Sequence, residues 1–372
     1  MTNKPTINHT HNYRAVSLFS GVGGDTLGMT QAGCTVIGYN EINPNFCESH
    51  NLNFTDCELI SNDKITDISK LADETFDKFK GKTDILFAGF PCQGFSNAGK
   101  KSMNDPRNTL FLQFLRVTHL LEPSLIIGEN VKGLITRKTT TGELYIDVII
   151  SEFEKLGYDV IYKIFKTEKY GVPQLRERLI ILGVKKHNPY GWTPKFPDEI
   201  SKNLNIKSIV SYSMEGSIKI DPKWFTDIPD ECIITNLNDT NIYNDNNGAH
   251  PYLLRKINSS KEDMKYNDKQ YTNLFSFGKR ISPIHCEIID IRRPCKTIIC
   301  SYDHQPRLFV PIKNNYGCYL RMFTPDELKQ IQGFPIDYIV YGNLKEKIVQ
   351  IGNAVPPPLI KAIVKNIIED II

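Results

Sequence analysis

The sequence predicts an α/β protein, a mixed, mostly parallel sheet with helices on both faces, joined to a smaller domain of irregular or β structure. Three observations predict it. Apolar runs of strand length alternate with helical segments from Tyr13 to Val184, the rhythm of a sheet wound on both faces by helices. The first strand–helix turn is glycine-rich, Ser20-Gly21-Val22-Gly23-Gly24, and an acid, Glu41, follows the second strand. Beyond Val184 the rhythm lapses into a stretch rich in Asn, Asp, Ser and Lys.

The elements follow in order. Val16-Ser17-Leu18-Phe19 reads as a strand, residues 26–32 as a helix ended by Gly33, and residues 35–40 as a second strand running into Glu41. A helix over 44–51 and a strand near 57–60 precede the turn at Asp67-Ile68. Residues 85–90 form a buried strand that ends at Pro91-Cys92. A helix over 109–121 leads to a strand over 124–128, which delivers Glu129-Asn130-Val131 at its end. A helix over 145–156 and a strand over 159–165 precede Gln174-Leu175-Arg176-Glu177-Arg178, and residues 179–184 are again an apolar strand. Thr324-Pro325-Asp326-Glu327 opens a helix with a Thr cap and Pro at the first helical position, and residues 358–371 form a helical tail. The expected organisation is a short N-terminal tail over 1–12, a main α/β domain over 13–184, a smaller domain over 185–315, and a return to the main domain over 316–372.

The 372 residues are 40% hydrophobic and 23% charged, ordinary for a soluble globular protein. No apolar run approaches the roughly 18 residues of a membrane span, and residues 1–12 lack the apolar core of a secretory signal. Nine cysteines with no Cys-x-x-Cys pair suit a reducing, cytoplasmic setting, and their spacing matches no zinc pattern, so no metal is expected. A net charge of +3 neither demands nor excludes nucleic acid. Basic pairs such as Lys100-Lys101 and Lys279-Arg280 matter only if the fold gathers them.

Chemistry concentrates at the predicted strand ends. The glycine turn lets a ligand approach the backbone, and an acid about 20 residues on can accept ribose hydroxyls, so this unit suits an adenosine-containing cofactor. The full dinucleotide fingerprint is absent. Cys92 is a candidate nucleophile if a neighbour keeps it ionised, and Glu129 a candidate proton donor. Arg176 and Arg178 alternate on an extended segment, which places both on one face of the sheet. A thiol that adds to an electron-poor ring, an acid that protonates it and a resulting carbanion that takes an alkyl group form one coherent chemistry.

From Tyr13 to the C-terminus the chain resembles the DNA (cytosine-5-)methyltransferases that use S-adenosyl-L-methionine, with the motifs in the family's order. Phe19-Ser20-Gly21-Val22-Gly23-Gly24 matches the cofactor loop, Glu41 the ribose-binding acid, Asp67-Ile68 the pair beside the adenine, and Pro91-Cys92-Gln93-Gly94-Phe95-Ser96 the catalytic loop. Asp105-Pro106-Arg107 with Leu110-Phe111, Glu129-Asn130-Val131, Gln174 to Arg178, Arg293-Pro294 with Thr297-Ile298, and Gln350-Ile351-Gly352-Asn353-Ala354-Val355 complete the set. The resemblance implies a Rossmann-like methyltransferase fold with a target-recognition domain, and catalysis by Cys92, Glu129, Arg176 and Arg178. It implies cofactor contacts at Phe19, Ser20, Gly21, Gly23, Gly24, Glu41, Ile42, Asp67, Ile68, Gly89, Pro91, Leu110, Asn353, Ala354 and Val355. Contacts to double-stranded DNA are expected at Gln93, Ser96, Lys100, Lys101, Gln174, Lys279 and Arg280. A monomer is expected, serving a restriction-modification system in which a cognate endonuclease acts on the same site.

The implied reaction has Cys92 attack C6 of a flipped cytosine, Glu129 hydrogen-bond its N3 edge as a carboxyl whose pKa is raised by burial, and Arg178 hold the ring carbonyl. Two alternatives share the fold, a tRNA cytosine-5 methyltransferase and an inactive DNA-binding relative. The Cys-Phe-Thr signature of the first is not found, and the intact Cys92 and Glu129 argue against the second. A nicotinamide-dependent dehydrogenase would leave the thiol unexplained.

Overall fold

A computed structural model describes residues 12–91, 110–139, 141–200, 202–239, 241, 243, 248–266, 275–280 and 285–369. Cys92, Gln93, Ser96, Lys100 and Lys101 lie outside the described residues. In chain order the elements are β1 (Arg14–Leu18), α1 (Gly24–Gln31), β2 (Thr35–Asn40), α2 (Pro44–Asn53), β3 (Glu58–Leu59), β4 (Ile85–Ala88), α3 (Leu110–Leu121), β5 (Leu125–Val131), α4 (Tyr145–Lys155), β6 (Tyr158–Lys166), β7 (Gln174–Leu175) and β8 (Glu177–Lys185). There follow β9 (Ile218–Ile220), β10 (Ile234–Thr235), α5 (Pro251–Tyr266), β11 (Phe275–Phe277), β12 (Cys286–Ile288), β13 (Cys295–Lys296), β14 (Leu308–Asn314), β15 (Gly317–Arg321), α6 (Pro325–Ile331), α7 (Leu344–Asn353) and α8 (Pro357–Ile368).

The described residues divide into two compact units. The first draws on residues 1–166, 177–199 and 355–372 and carries a seven-stranded sheet ordered β3-β2-β1-β4-β5-β8-β6. β3, β2, β1, β4 and β5 are parallel, while β8 runs antiparallel to both β5 and β6. This is the mixed, mostly parallel sheet expected. Its core joins Val16, Leu18, Leu86 and Ala88 of the sheet to Phe111, Phe114 and Val117 of α3 and to Ile149 and Phe153 of α4. The chain leaves β1 towards β2 on one side, whereas β4 leads on to β5 on the other. The carboxyl ends of β1 and β4 are therefore the switch point of the sheet, where open α/β folds bind ligands. Helix α8 packs on α1 at Gly28, where an added Cβ would lie 2.7 Å from both Ile360 Cβ and the Pro357 carbonyl.

The second unit takes residues 167–176 and 200–354. Its longest strand, β14, pairs antiparallel with β15, which pairs antiparallel with β9; β12 and β10 share the other edge of β14. These divisions differ from boundaries at 184 and 315 for identifiable reasons. Tyr190 and Trp192 pack around Tyr13, which keeps 185–199 with the first unit. Strand β7 pairs with β13, which takes 167–176 into the second. Beyond 315, β15 completes the second unit's sheet, and Leu328, Ile331, Ile348 and Ile351 of α6 and α7 fill the same core as Phe309 and Leu320. The chain rejoins the first unit only at Val355.

Among the described residues no helix is long and apolar enough to cross a membrane.

Candidate active site

The loop after β1 turns through left-handed backbone at Phe19 (φ 56°), Gly21 (φ 59°) and Gly23 (φ 85°). Glycine takes that region freely, whereas at Phe19 it is disfavoured by about 1–2 kcal/mol and must be held by its surroundings. The holding contacts are visible. Ser20 N–H donates to the Asn40 carbonyl at 3.0 Å, and Gly23 N–H to the Ser20 carbonyl at 2.9 Å. Glu41, at the end of β2, braces the same loop. Its Oε2 accepts the Gly21 N–H at 2.9 Å and its Oε1 the Asn43 N–H at 2.8 Å. Burial holds this carboxyl above its usual range, and the backbone N–H groups of Asn43, Gly21 and Ile42 oppose the shift. A carboxylate has about four acceptor positions, so the backbone N–H groups of Asn43, Gly21 and Ile42 do not fill it. Beside it, Ile42 is 61% exposed, an apolar surface next to a buried acid.

The end of β4 closes the other side of the switch point. Gly89 N–H donates to the Leu18 carbonyl at 3.2 Å, and a Cβ there would touch the Phe19 carbonyl at 3.5 Å and Val355 Cγ2 at 3.8 Å. Phe19, Gly89 and Val355 thus converge. Pro91 and Leu110 are half-buried. The Asp67-Ile68 pair makes contacts within its own segment and with α3. Asp67 caps a short 3-10 turn through Ser69, whose hydrogen bonds hold its carboxyl below the usual range. Ile68 is a core side chain, and Arg116 takes its carbonyl at 2.8 Å. Asn353 is exposed and Ala354 buried, both in the second unit, where the Ala354 carbonyl accepts from Gln332 at 2.6 Å.

Glu129 lies within β5 rather than beyond its end, because the long strand β8 continues the pairing as far as Val131↔Arg178. It still overhangs β4, whose last partner on β5 is Gly128. Arg178 Nε meets Glu129 Oε1 at 2.7 Å, with side chains 15% and 12% exposed, and Arg178 Nη1 donates to the Glu177 carbonyl at 2.8 Å. Burial pulls the Arg178 guanidinium below its ordinary value, and Glu129 opposes that shift; a guanidinium stays charged nonetheless. Asn130 donates from Nδ2 to the Phe90 carbonyl at 3.0 Å, fixing the backbone two residues before Cys92.

Arg176 does not join Arg178. It falls at the break between β7 and β8, and its fully buried guanidinium donates to the carbonyls of Ile298 at 2.9 Å, Gly352 at 3.1 Å and Ala354 at 3.3 Å. Strand alternation therefore does not carry across that break. Gln174, expected at the DNA, is fully buried, accepts the Ile298 N–H at 3.1 Å and donates to Gln332. Lys279 and Arg280 are exposed after Gly278. Beneath the glycine loop lies a buried group that sequence reasoning missed, Asp25, whose position in the first turn of a helix resembles ordinary dipole complementation.

A glycine-turned loop, a braced acid and an Arg–Glu pair lie at the strand ends of one sheet, the region where open α/β folds bind ligands. The profile described as C-5 cytosine-specific DNA methylase matches residues 13–369, and the chain belongs to that family: it is a DNA (cytosine-5-)methyltransferase. It is 30% identical over 361 residues to the Type II methyltransferase M1.HphI of Haemophilus parahaemolyticus, covering 95% of this chain and 86% of the relative. It is 29% identical over 371 residues to the Type II methyltransferase M.NgoFVII of Neisseria gonorrhoeae, covering 99% and 87%. Its fold is similar to that of the Entamoeba histolytica methyltransferase EhMeth, with a TM-score of 0.63 at 18% identity over 94% of this chain and 96% of the other. It is also similar to a putative prophage-encoded DNA modification methyltransferase of E. coli, with a TM-score of 0.61 at 22% identity over 96% and 100%.

Proposed function

We propose that this enzyme moves a methyl group from S-adenosyl-L-methionine to C5 of a cytosine flipped out of a short specific sequence in duplex DNA, through a covalent bond from Cys92 to C6. We further propose that it serves as the monomeric, cytoplasmic modification enzyme of a restriction-modification system. The observation that carries the chemistry is the partly open Glu129–Arg178 pair, one residue from the Asn130 that anchors the backbone leading into Pro91-Cys92.

The residues fit the cofactor. Glu41 keeps acceptor positions for ribose hydroxyls while bracing Gly21, and exposed Ile42 offers an apolar face for the adenine. Bound there, the cofactor supplies an electrophilic methyl group. Everything else is done by the chain. The Cys92 thiolate forms a bond to C6 while Glu129 delivers a proton at N3, leaving electron density on C5. Arg178 holds the ring carbonyl and orients Glu129. C5 gains the methyl group and loses its proton to a base, the C6–S bond breaks to return the Cys92 thiolate, and N3 gives its proton back to Glu129. Gln93, Ser96, Lys100, Lys101, Lys279 and Arg280 contact DNA, and residues 200–354 read the target. A cognate endonuclease would cut the same site when unmethylated.

Bisulfite sequencing of DNA from cells expressing the chain tests activity and target together. Cys92→Ala is expected to abolish methylation; residual turnover within about tenfold, roughly 1.4 kcal/mol in barrier, excludes the covalent route. DNA carrying 5-fluorocytosine at the target has no removable C5 proton and is expected to trap the enzyme as an adduct.

A further inference from the structure

Beneath the glycine loop lies a polar cluster that the reaction does not use. Asp25 is 1% exposed and turned inward from the first turn of α1. Its Oδ2 accepts from Ser17 Oγ of β1 in a short contact, and Ser20 Oγ of the loop donates to Oδ1 at 3.2 Å. Ser20 Oγ lies 3.2 Å from Thr26 Oγ1, which in turn lies 3.0 Å from His50 Nε2 on α2. His50 is fully buried and stacks on Tyr39 of β2, with ring centroids 3.5 Å apart and 12° from parallel. One carboxylate therefore gathers β1, the loop and α1, and its neighbours extend the contact to α2 and β2.

An acid in the first turn of a helix ordinarily faces water and complements the helix dipole. Burying one is unfavourable, and an apolar side chain would fill the same space without that penalty. What an apolar side chain cannot do is hold two hydroxyls, and here they belong to Ser17 and Ser20. Those residues flank Phe19, the non-glycine residue in left-handed backbone. Phe19, Ser20 and Gly21 are the residues assigned above to the cofactor.

We propose that Asp25 is a positioning residue for cofactor binding, clamping Ser17 and Ser20 so that the strained Phe19 turn is held ready for the ligand. The inference rests on the cofactor reading under Proposed function, and deepens it by separating the residues that touch the ligand from the one that shapes their loop.

The test measures S-adenosyl-L-methionine affinity by calorimetry, KM for cofactor and for DNA, and thermal unfolding, on full-length Asp25→Ala, Asp25→Asn, Ser20→Ala and Glu41→Ala. Asp25→Ala is expected to weaken cofactor binding by about tenfold, the equivalent of one lost hydrogen-bonding network at about 1.4 kcal/mol per decade. KM for DNA should stay within about twofold, and thermal unfolding checks that the variant is folded. Asp25→Asn keeps an acceptor for the serine hydroxyls and is expected to recover most of the affinity. If Asp25→Ala does not fold, Ser20→Ala decides, with a loss of about threefold expected and unchanged affinity overturning the proposal. Unchanged affinity in a folded Asp25→Ala, alongside the weakening expected of Glu41→Ala, overturns the positioning role and leaves the cofactor reading standing. Unchanged affinity in both Asp25→Ala and Glu41→Ala overturns the cofactor reading and the inference with it.

Discussion

Each unit of this protein buries an arginine against a glutamate, and the two pairs are built differently. In the second unit Arg321 and Glu327 are 0% and 2% exposed and meet in a double contact at 2.7 and 2.8 Å. Arg321 also donates to the carbonyls of Ser211 at 2.6 Å, Ser213 at 3.1 Å and Met322 at 2.7 Å, and Glu327 accepts the N–H groups of Ser211 and Thr324. In the first unit Arg178 Nε meets Glu129 Oε1 at 2.7 Å, and Glu129 and Arg178 keep 12% and 15% of their side-chain surface. A saturated pair joins a loop, a strand and a helix cap, and has nothing left to offer a ligand. A pair that keeps surface at a strand end holds charge where a substrate can exchange partners with it. The difference distinguishes a pair whose groups are enclosed by protein partners from one that keeps surface, without reference to which residues they are.

Two substitutions test that separation. Arg321→Ala leaves Glu327 buried without its cation and strips three carbonyls of a donor. It is expected to destabilise the protein by about 3–5 kcal/mol, read by denaturant titration. Glu129→Gln is expected to lower methyl transfer by about 10²- to 10⁴-fold, the range of lost general acid catalysis, while shifting the unfolding midpoint far less than Arg321→Ala. Equal destabilisation by both would erase the contrast and make Glu129–Arg178 another structural pair.

The contrast was only half legible in the sequence. Strands, helices and a mostly parallel sheet follow from apolar runs and glycine punctuation, and Glu41 and Glu129 stand out because each follows an apolar run. Arg176 and Arg178 looked alike because alternation was assumed to run through an unbroken strand. The structure interrupts it between Leu175 and Glu177, where pairing changes from β13 to β5 and β6. Gln174 and Arg321 carried no signal of burial, since their partners, Gln332 and Glu327 with the carbonyls around residues 211–213, lie elsewhere along the chain. The link from Asp25 through Thr26 to His50 is likewise made by tertiary packing, for which no spacing rule exists.

That link supplies the next test, because it sets two titrations against each other. Burial pushes the Asp25 carboxyl from 3.8 up to about 6 and the His50 imidazole from 6.5 down to about 3. A carboxyl with a raised folded value contributes stability that is complete below pH 3.8 and lost as pH rises through about 6. An imidazole with a lowered folded value contributes stability that is present above pH 6.5 and lost as pH falls towards about 3. Between pH 6.5 and 4 the two oppose. Asp25→Asn removes one side, so the variant should gain up to about 3 kcal/mol over wild type at pH 8. That gain should shrink as pH falls towards 4, because only wild type then recovers the Asp25 contribution. A gain that is the same at every pH, measured by urea titration, would show that Asp25 does not titrate in this range. Glu41, braced by backbone N–H groups, comes next in size: Glu41→Ala should weaken cofactor binding about tenfold to a hundredfold, the worth of a charged hydrogen bond, and KM for DNA much less.

The smallest effect carries the comparison of saturated and open groups to the DNA contacts. Gln174 is interior and fully engaged by Ile298 and Gln332, while Lys279 and Arg280 are exposed behind a glycine in left-handed backbone. Only an exposed cation can replace counterions on a phosphate backbone. Lys279→Ala and Arg280→Ala should therefore each lower the slope of log affinity against log salt by about 1 for any duplex, with folding unchanged. Gln174→Ala should leave that slope alone and instead cost stability of about 1–3 kcal/mol, because Gln332 and the Ile298 N–H lose a buried partner. A change in slope for Gln174→Ala with normal stability would return it to the DNA interface. An unchanged slope for both Lys279→Ala and Arg280→Ala would remove them from it, and would place the cations that meet the backbone elsewhere in the chain.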